Sequence, residues 1–350
     1  MVASITVGTR RIGPGEPCFI IAEAGVNHNG DLDLAKQLVD VAVSAGADAV
    51  KFQTFKADRL ATAVAPKAEY QNRTTDETES QFDMLRRLEL SPEMHHALMS
   101  YCRDKDILFM SSPFDELSAD LLEELEVAVF KIPSGEITNL PFLSHIARKG
   151  KPMIVSTGMS YLSEVEAAVH TIEAARNRNY VLLQCTSNYP ADPADANLAA
   201  METMAKAFGA VVGYSDHTQG IEIPLAAVAL GACVVEKHLT TDRTLPGPDH
   251  LASLEPEEFT SMVRGIRSVE AALGHGRKEP AASEANTASV ARKSLVAAQD
   301  IPAGATLTDK MVAVKRPGTG LSPALRSQVV GRSVRVPIPA ESLITLEMLA

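Results

Sequence analysis

The 350-residue chain reads as an α/β protein, a (β/α)8 TIM barrel followed by a small β-rich C-terminal domain. Two observations lead there. Between residues 18 and 273, short β-branched runs alternate eight times with longer helical patterns. Eight strand–helix units in about 250 residues match the barrel in count and length. The runs are also near-continuously apolar, as strands are when a parallel sheet is covered on both faces. No GxGxxG follows the first run, which disfavours the alternative, a doubly wound open sheet.

In chain order the expected strands are 18–24 (CFIIAEA), 47–53 (ADAVKFQ), 107–113 (ILFMSSP), 127–132 (VAVFKI), 152–157 (PMIVST), 180–185 (YVLLQC), 210–215 (AVVGYS) and 233–238 (CVVEKH). Helices are expected between them, such as 31–45 with apolar Leu34, Leu38, Val41 and Val43, and 162–176 after a cap at Ser163. One connection is far longer than an ordinary βα loop. Residues 54–91, with KAEYQNRTTDETESQ at their heart, are polar and would emerge at the catalytic face as a substrate cover. The barrel domain is placed at 1–273. Residues 274–291 hold few large apolar side chains and read as a linker. In the last domain, 292–350, IPAGATLTDKM (301–311) and IPAESLITLEM (338–348) form an internal near-repeat, with Ile, Pro, Ala, Thr and Met recurring at one constant offset. Such a motif, rich in Pro and Gly, predicts short strands and turns around a core too small for catalysis alone.

Composition narrows the function classes. With 45% hydrophobic residues, 22% charged residues and mean hydropathy near zero, the chain is globular. No apolar run approaches ~18 residues, which excludes a membrane span. The start, MVASITVGTRRIGPGEP, lacks the pattern of a signal peptide, so a cytoplasmic protein is expected. Cys18, Cys102, Cys185 and Cys233 lie in apolar contexts without CxxC spacing and read as buried thiols. A net charge of −11 argues against nucleic acid as a partner. Residues 281–350 nevertheless carry +3 against −14 for the rest, so a basic module follows an acidic body.

Barrel enzymes gather reacting groups at the C-terminal ends of their strands. Polar residues collect at those positions in this chain: Glu23, Lys51 and Gln53, Lys131 with Ser134, Ser156, Ser187-Asn188-Tyr189, Ser215 with His217, and His238. Lys51 and Lys131 stand in otherwise apolar strands, and a buried unpaired ammonium is costly, so the two need an anion. Together with Ser134, Ser156 and Ser215 they form a candidate cradle for phosphate or carboxylate. His217 and His238 end neighbouring strands and suit one divalent ion, since imidazole binds Zn, Mn, Fe or Co.

Several long stretches resemble the sialic acid synthase family: 21–56, FKIPSGEITNLPFL (130–143), VGYSDHTQGIEIPLAAVALGA (212–232) and VVEKHLTTDRTLPGPDHLASLEPEEF (234–259). The tail, including KRPGTG (315–320), is similar to the antifreeze-like (SAF) domain that ends these synthases. The resemblance implies condensation of phosphoenolpyruvate with an open-chain N-acetylated amino sugar and water, giving a nonulosonic acid and phosphate. It assigns Lys51, Lys131, Ser134, Ser156, Ser215 and either Ser187 or Asn188 to phosphoenolpyruvate. It assigns a divalent metal, typically manganese, to His217 and His238, and the sugar to Glu23, Gln53, Tyr189 and Asp249. Glu23 is also a candidate base. Arg316 would reach the N-acetyl group from the partner of a domain-swapped homodimer.

N-acetylmannosamine is the expected acceptor, giving N-acetylneuraminic acid. A 6-deoxy-2,4-diacetamido sugar, giving legionaminic acid, is the alternative. A synthase with a sugar-phosphate acceptor would need a second Arg/Lys cluster, which the barrel sequence lacks. A non-catalytic carbohydrate-binding protein is the rival from another class.

Overall fold

The computed structural model describes residues 4–76 and 78–350. These divide into two compact units, Met1–Gly274 and His275–Ala350.

The first unit opens with a hairpin that the strand pattern did not announce, β1 (Ile5–Val7) and β2 (Arg10–Ile12). Eight parallel strands follow: β3 (Phe19–Gly25), β4 (Ala49–Thr54), β5 (Leu108–Pro113), β6 (Phe130–Ile132), β7 (Met153–Ser156), β8 (Tyr180–Cys185), β9 (Val211–Asp216) and β10 (Val234–His238). All eight coincide with the expected runs. Their ladder runs β5-β4-β3-β10-β9-β8-β7-β6, and β10 pairs back onto β3, so the sheet curls into a barrel. β5 and β6 lie side by side without a ladder, leaving one seam. Phe19, Ile21, Ala49, Met110, Ile154, Val181, Leu183 and Val234 fill the interior, and Ile5, Val7 and Ile12 of the hairpin pack against them. The hairpin is thus a stopper at the end of the barrel where the strands begin.

The alternate strand residues face the helices, forming the larger core. Helix Leu32–Ala45 is capped by Asp31, which accepts from the backbone N–H of Asp33 and Leu34 at 2.7 and 3.0 Å. Its buried stripe is Ala35, Leu38, Val39 and Ala42 rather than Leu34, Val41 and Val43, because small alanines let the helix sit close to the sheet. Helix Leu162–Ala174 begins one residue before the expected cap Ser163. Glu164 accepts from the Tyr161 backbone N–H at 2.7 Å and closes the first turn instead.

The excursion 54–91 contains three short helices. Helices Ala57–Leu60, Glu69–Thr74 and Gln81–Leu88 fold over the strand ends. Glu89 ties its two ends together, accepting from Lys56 at 2.9 Å and from the Ala57 backbone N–H at 2.7 Å. Gly30, after β3, has φ 79°. A Cβ there would lie 2.8 Å from the Arg87 carbonyl, so glycine is what admits the excursion to this loop.

In the second unit β11 (Ser294–Ala297) pairs antiparallel with β12 (Val312–Lys315). The near-repeat is structural. Ile301 and Ile338 exchange both backbone hydrogen bonds at 2.9 Å, and the 3₁₀ turns Asp309–Met311 and Leu346–Met348 occupy equivalent places in the two copies. Within the segment read as linker, 274–291, Ala285–Ala291 form a helix, as the alanine-rich ANTASVA sequence favours. No helix among the described residues is long and apolar enough to cross a membrane.

Candidate functional site

At the C-terminal ends of the strands lies a cavity of about 370 Å³. Glu23, Lys51, Gln53, Lys131, Ser134 and Ser156 line it, together with Ser187, Tyr189, Ser215, His217, His238 and Asp249. Parallel strands of a barrel aim alternate side chains inward at this rim, so residues from β3 to β10 meet although more than two hundred positions separate Glu23 from His238. Two of the expected residues stand apart. Asn188 is exposed, because the turn that bonds its N–H to the Thr186 carbonyl at 3.0 Å points Ser187 inward and Asn188 outward. Arg316 belongs to the second unit, exposed just beyond β12.

The floor is charged. Lys51 and Lys131 are both buried, but they do not wait for an external anion. Lys51 pairs with Glu23 at 2.6 Å and with Glu236 at 3.7 Å, while Lys131 pairs with Glu236 at 3.4 Å. Glu236 stands in the polar triplet Glu236-Lys237-His238 that ends the last expected strand, but has no role assigned from the sequence alone. It sits two positions before His238, on the same face of β10 by the alternation of a strand, and that spacing is the signal that marks it. Lys237 faces the other way and is neutralised by Asp216 at 2.5 Å.

Burial pushes the Glu23 carboxyl up to about 7, against the pull of Lys51, with Glu236 adding to the rise. Burial also pushes Glu236 up, but the two lysines outweigh it and hold this carboxyl below the usual range. Lys131 is pushed down by burial, with Glu236 opposing. Two carboxylates of similar setting are therefore driven apart, one ionised and one poised near neutrality.

Hydroxyls surround this floor. Lys131 donates to Ser156 at 2.8 Å, Lys51 to Ser112 at 3.1 Å, and Ser215 bonds Glu236 at 2.9 Å. Ser134 accepts from the Gly158 backbone N–H at 3.0 Å. A Cβ at position 158 would stand 2.3 Å from Ser187 Oγ and 2.8 Å from Ser134 Oγ, so glycine leaves room for the two hydroxyls to converge.

One side is aromatic. His217 and His238 lie 5.3 Å apart between ring centroids, with Tyr189 packed 4.1 Å from His217 and Tyr70 of the excursion stacked 4.9 Å from Tyr189. Tyr70 was also missed, because its place over the barrel depends on how the excursion folds. His217 Nδ1 faces the Thr186 carbonyl at 2.7 Å, which leaves Nε2 as the free lone pair. His238 Nδ1 is buried without a hydrogen-bond partner, 3.9 Å from Asp249 Oδ2. Burial, helped by His217, holds His238 well below its ordinary range, so it is neutral. Burial raises Asp249 to about 6. Two imidazoles with available lone pairs fit a divalent ion, and among the described residues no group of three His, Cys, Asp or Glu has the placing of a closed metal site. Water and substrate would complete such an ion's coordination.

The NeuB family matches residues 38–278, and an SAF domain matches 292–350. The chain belongs to the NeuB family. This NeuB-family chain is 48% identical to the N,N'-diacetyllegionaminic acid synthase of Legionella pneumophila over 97% of both proteins. It is 49% identical to the enzyme of the same name from Campylobacter jejuni, over 90% of this chain and 95% of that one. Among solved structures it resembles the N-acetylneuraminic acid (sialic acid) synthetase of Leptospira borgpetersenii, with 38% identity and a TM-score of 0.72 over 82% of this chain and 95% of the other. The fold and the family expected from the motifs of this chain are both met.

Proposed function

We propose that this NeuB-family chain condenses phosphoenolpyruvate with an open-chain 6-deoxy-2,4-diacetamido sugar and water, giving N,N'-diacetyllegionaminic acid and phosphate. One observation carries the choice of acceptor. Two relatives that match nearly end to end at 48 and 49% identity are named for that product. This moves the reading from N-acetylmannosamine, the acceptor expected from sequence alone, to its alternative.

The site's charges support the chemistry. Phosphoenolpyruvate brings a carboxylate and a phosphate, and Lys51, Lys131 and the serines at 134, 156, 187 and 215 offer donors to both. The arriving anion competes with Glu236 for the lysines, so a preorganised charged floor replaces water around the phosphate. The enol carbon C3 forms a bond to the sugar's aldehyde carbon, leaving C2 as an oxocarbenium-like centre. Glu23, titrating near neutrality, takes a proton from the water that adds at C2. That proton passes to the oxygen of the former aldehyde, the C2–O bond to phosphate breaks, and the C2 hydroxyl proton leaves with the phosphate as the ketone forms. Gln53, Asp249, Tyr189 and Tyr70 hold the sugar. A manganese ion at His217 and His238 would polarise the aldehyde as a Lewis acid. A purely carbohydrate-binding protein has no use for two buried lysines beside a carboxyl poised near neutrality.

Side-by-side kcat/KM values on the diacetamido sugar and on N-acetylmannosamine test the acceptor. A preference above tenfold for the first is expected, and a preference for the second would reverse the reading. Below pH 7 Glu23 is protonated in the free protein and cannot accept a proton, so kcat/KM should rise with pH through about 7. Glu23→Gln should lose activity and that limb together. We further propose that Arg316 bonds the acetamido oxygen in the partner subunit of a homodimer. Mixing Arg316→Ala and Lys131→Met proteins, at a phosphoenolpyruvate concentration too low for Lys131→Met alone to turn over, should then restore part of the activity. Absence of recovery after verified subunit exchange would remove the trans arrangement.

A further inference from the structure

The cavity has two unlike walls. Across from the charged floor, Leu60, Leu85 and Phe114 line it, half-buried, with Val26, Met84 and Leu88 packed behind them in one apolar cluster. The cluster is anchored from beneath by Phe55, whose ring meets that of Phe114 edge to face at 6.0 Å. Met84, Leu85 and Leu88 come from one helix of the excursion at positions i, i+1 and i+4, so a single helical face builds half of the wall. None of these six side chains carries a hydroxyl, amide or charge. Of the polar excursion residues that reach the cavity, Tyr70 and Gln71 come from the preceding helix, while Gln81 stands one turn before Leu85 and donates its side-chain N–H to Gln71 at 3.4 Å.

Resting on the condensation reading above, we infer that Leu60, Leu85 and Phe114 form a subsite for an apolar terminus of the acceptor, the C6 methyl of a 6-deoxy sugar. The reacting aldehyde end is fixed at the lysine and histidine side, where the enol phosphate must lie. The rest of an open chain extends from there toward the excursion. A methyl group meeting this wall loses its water shell and gains packing. A C6 hydroxyl against Leu60, Leu85 and Phe114 gives up its hydrogen bonds to water, and these three side chains return none. Discrimination of this kind in apolar pockets is worth roughly tenfold to a hundredfold in kcat/KM.

The experiment separates C6 from C4. The full-length protein is assayed with phosphoenolpyruvate and each of three acceptors: N-acetylmannosamine, its 6-deoxy analogue, and the 6-deoxy-2,4-diacetamido sugar. The 6-deoxy analogue should exceed N-acetylmannosamine in kcat/KM by at least about tenfold. Leu85→Gln should shrink that ratio to below threefold, with the KM for phosphoenolpyruvate unchanged, and Leu60→Asn should do the same if the first variant does not fold. Equal values for the 6-deoxy and 6-hydroxy sugars would overturn the subsite alone. In that case the condensation reading stands, and any advantage of the diacetamido sugar belongs to its C4 group. Turnover of none of the three would overturn both readings.

Discussion

The two walls of the cavity are built on different principles. The floor is made from strand ends, where the buried charges are bonded to their neighbours: Lys51 to Glu23, Lys131 to Glu236 and Ser156, Ser215 to Glu236. The opposite wall is made from short helices of a long connection, and its side chains touch each other only through apolar packing. A charged network on strands fixes positions within tenths of an ångström and tolerates little change. An apolar face on a loop-borne helix can be resurfaced without disturbing the barrel. On the function proposed above, the reaction chemistry belongs to the sheet and the choice of acceptor to the excursion.

Substitutions on the histidine side of the floor should have the largest effect. His217→Ala and His238→Ala should each lower kcat by at least about a hundredfold, more than the loss of a partner that only orients a metal ligand. Calorimetric titration should show weakened manganese binding, while the far-ultraviolet dichroism of the barrel stays unchanged. Full activity in either variant would return that histidine to a structural role.

Lys131→Met should act on one substrate. Losing a charge-assisted bond should raise the KM for phosphoenolpyruvate about tenfold to a hundredfold, and far more than the KM for the sugar. It also strands Glu236 with only the more distant Lys51, at a cost of about 3–5 kcal/mol of stability. Adding Glu236→Gln should return part of the melting temperature but none of the lost affinity. Equal KM effects on both substrates would erase the distinction between floor and wall.

The smallest effect belongs to the excursion. Tyr70→Leu removes the stack on Tyr189, worth about 0.5–1.5 kcal/mol, so the sugar KM should rise by roughly twofold to tenfold. The KM for phosphoenolpyruvate should not move. A change in both would mean that the excursion organises the floor as well.

The same contrast explains what could be read from the amino acids. The eight barrel strands were legible because burial on both faces leaves continuous apolar runs such as FIIAEAG and YVLLQC. The lysines and histidines were legible because charge inside such runs demands a reason. The hairpin Ile5–Ile12 was not, since two strands of three residues carry too little periodicity. Glu236 was hidden by its neighbours in a charged triplet, Glu236-Lys237-His238, whose members face alternate sides. The apolar wall was masked by composition. The polar run KAEYQNRTTDETESQ just before it draws attention from Met84, Leu85 and Leu88, which recur at three- and four-residue steps on one helix face.

The seam between β5 and β6 has a mechanical consequence. A ring of seven ladders with one side unstitched is a clip, and a clip flexes at its opening. The two lips carry Ser112 and Lys131, while Lys51, bonded to Ser112 at 3.1 Å, stands one strand in from the first lip. An anion held between Lys51 and Lys131 therefore acts as a clasp across the gap. Amide protons along Leu108–Pro113 and Phe130–Ile132 should exchange with deuterium sooner than those of β3 or β10 in the free protein, and the difference should narrow when phosphoenolpyruvate is added.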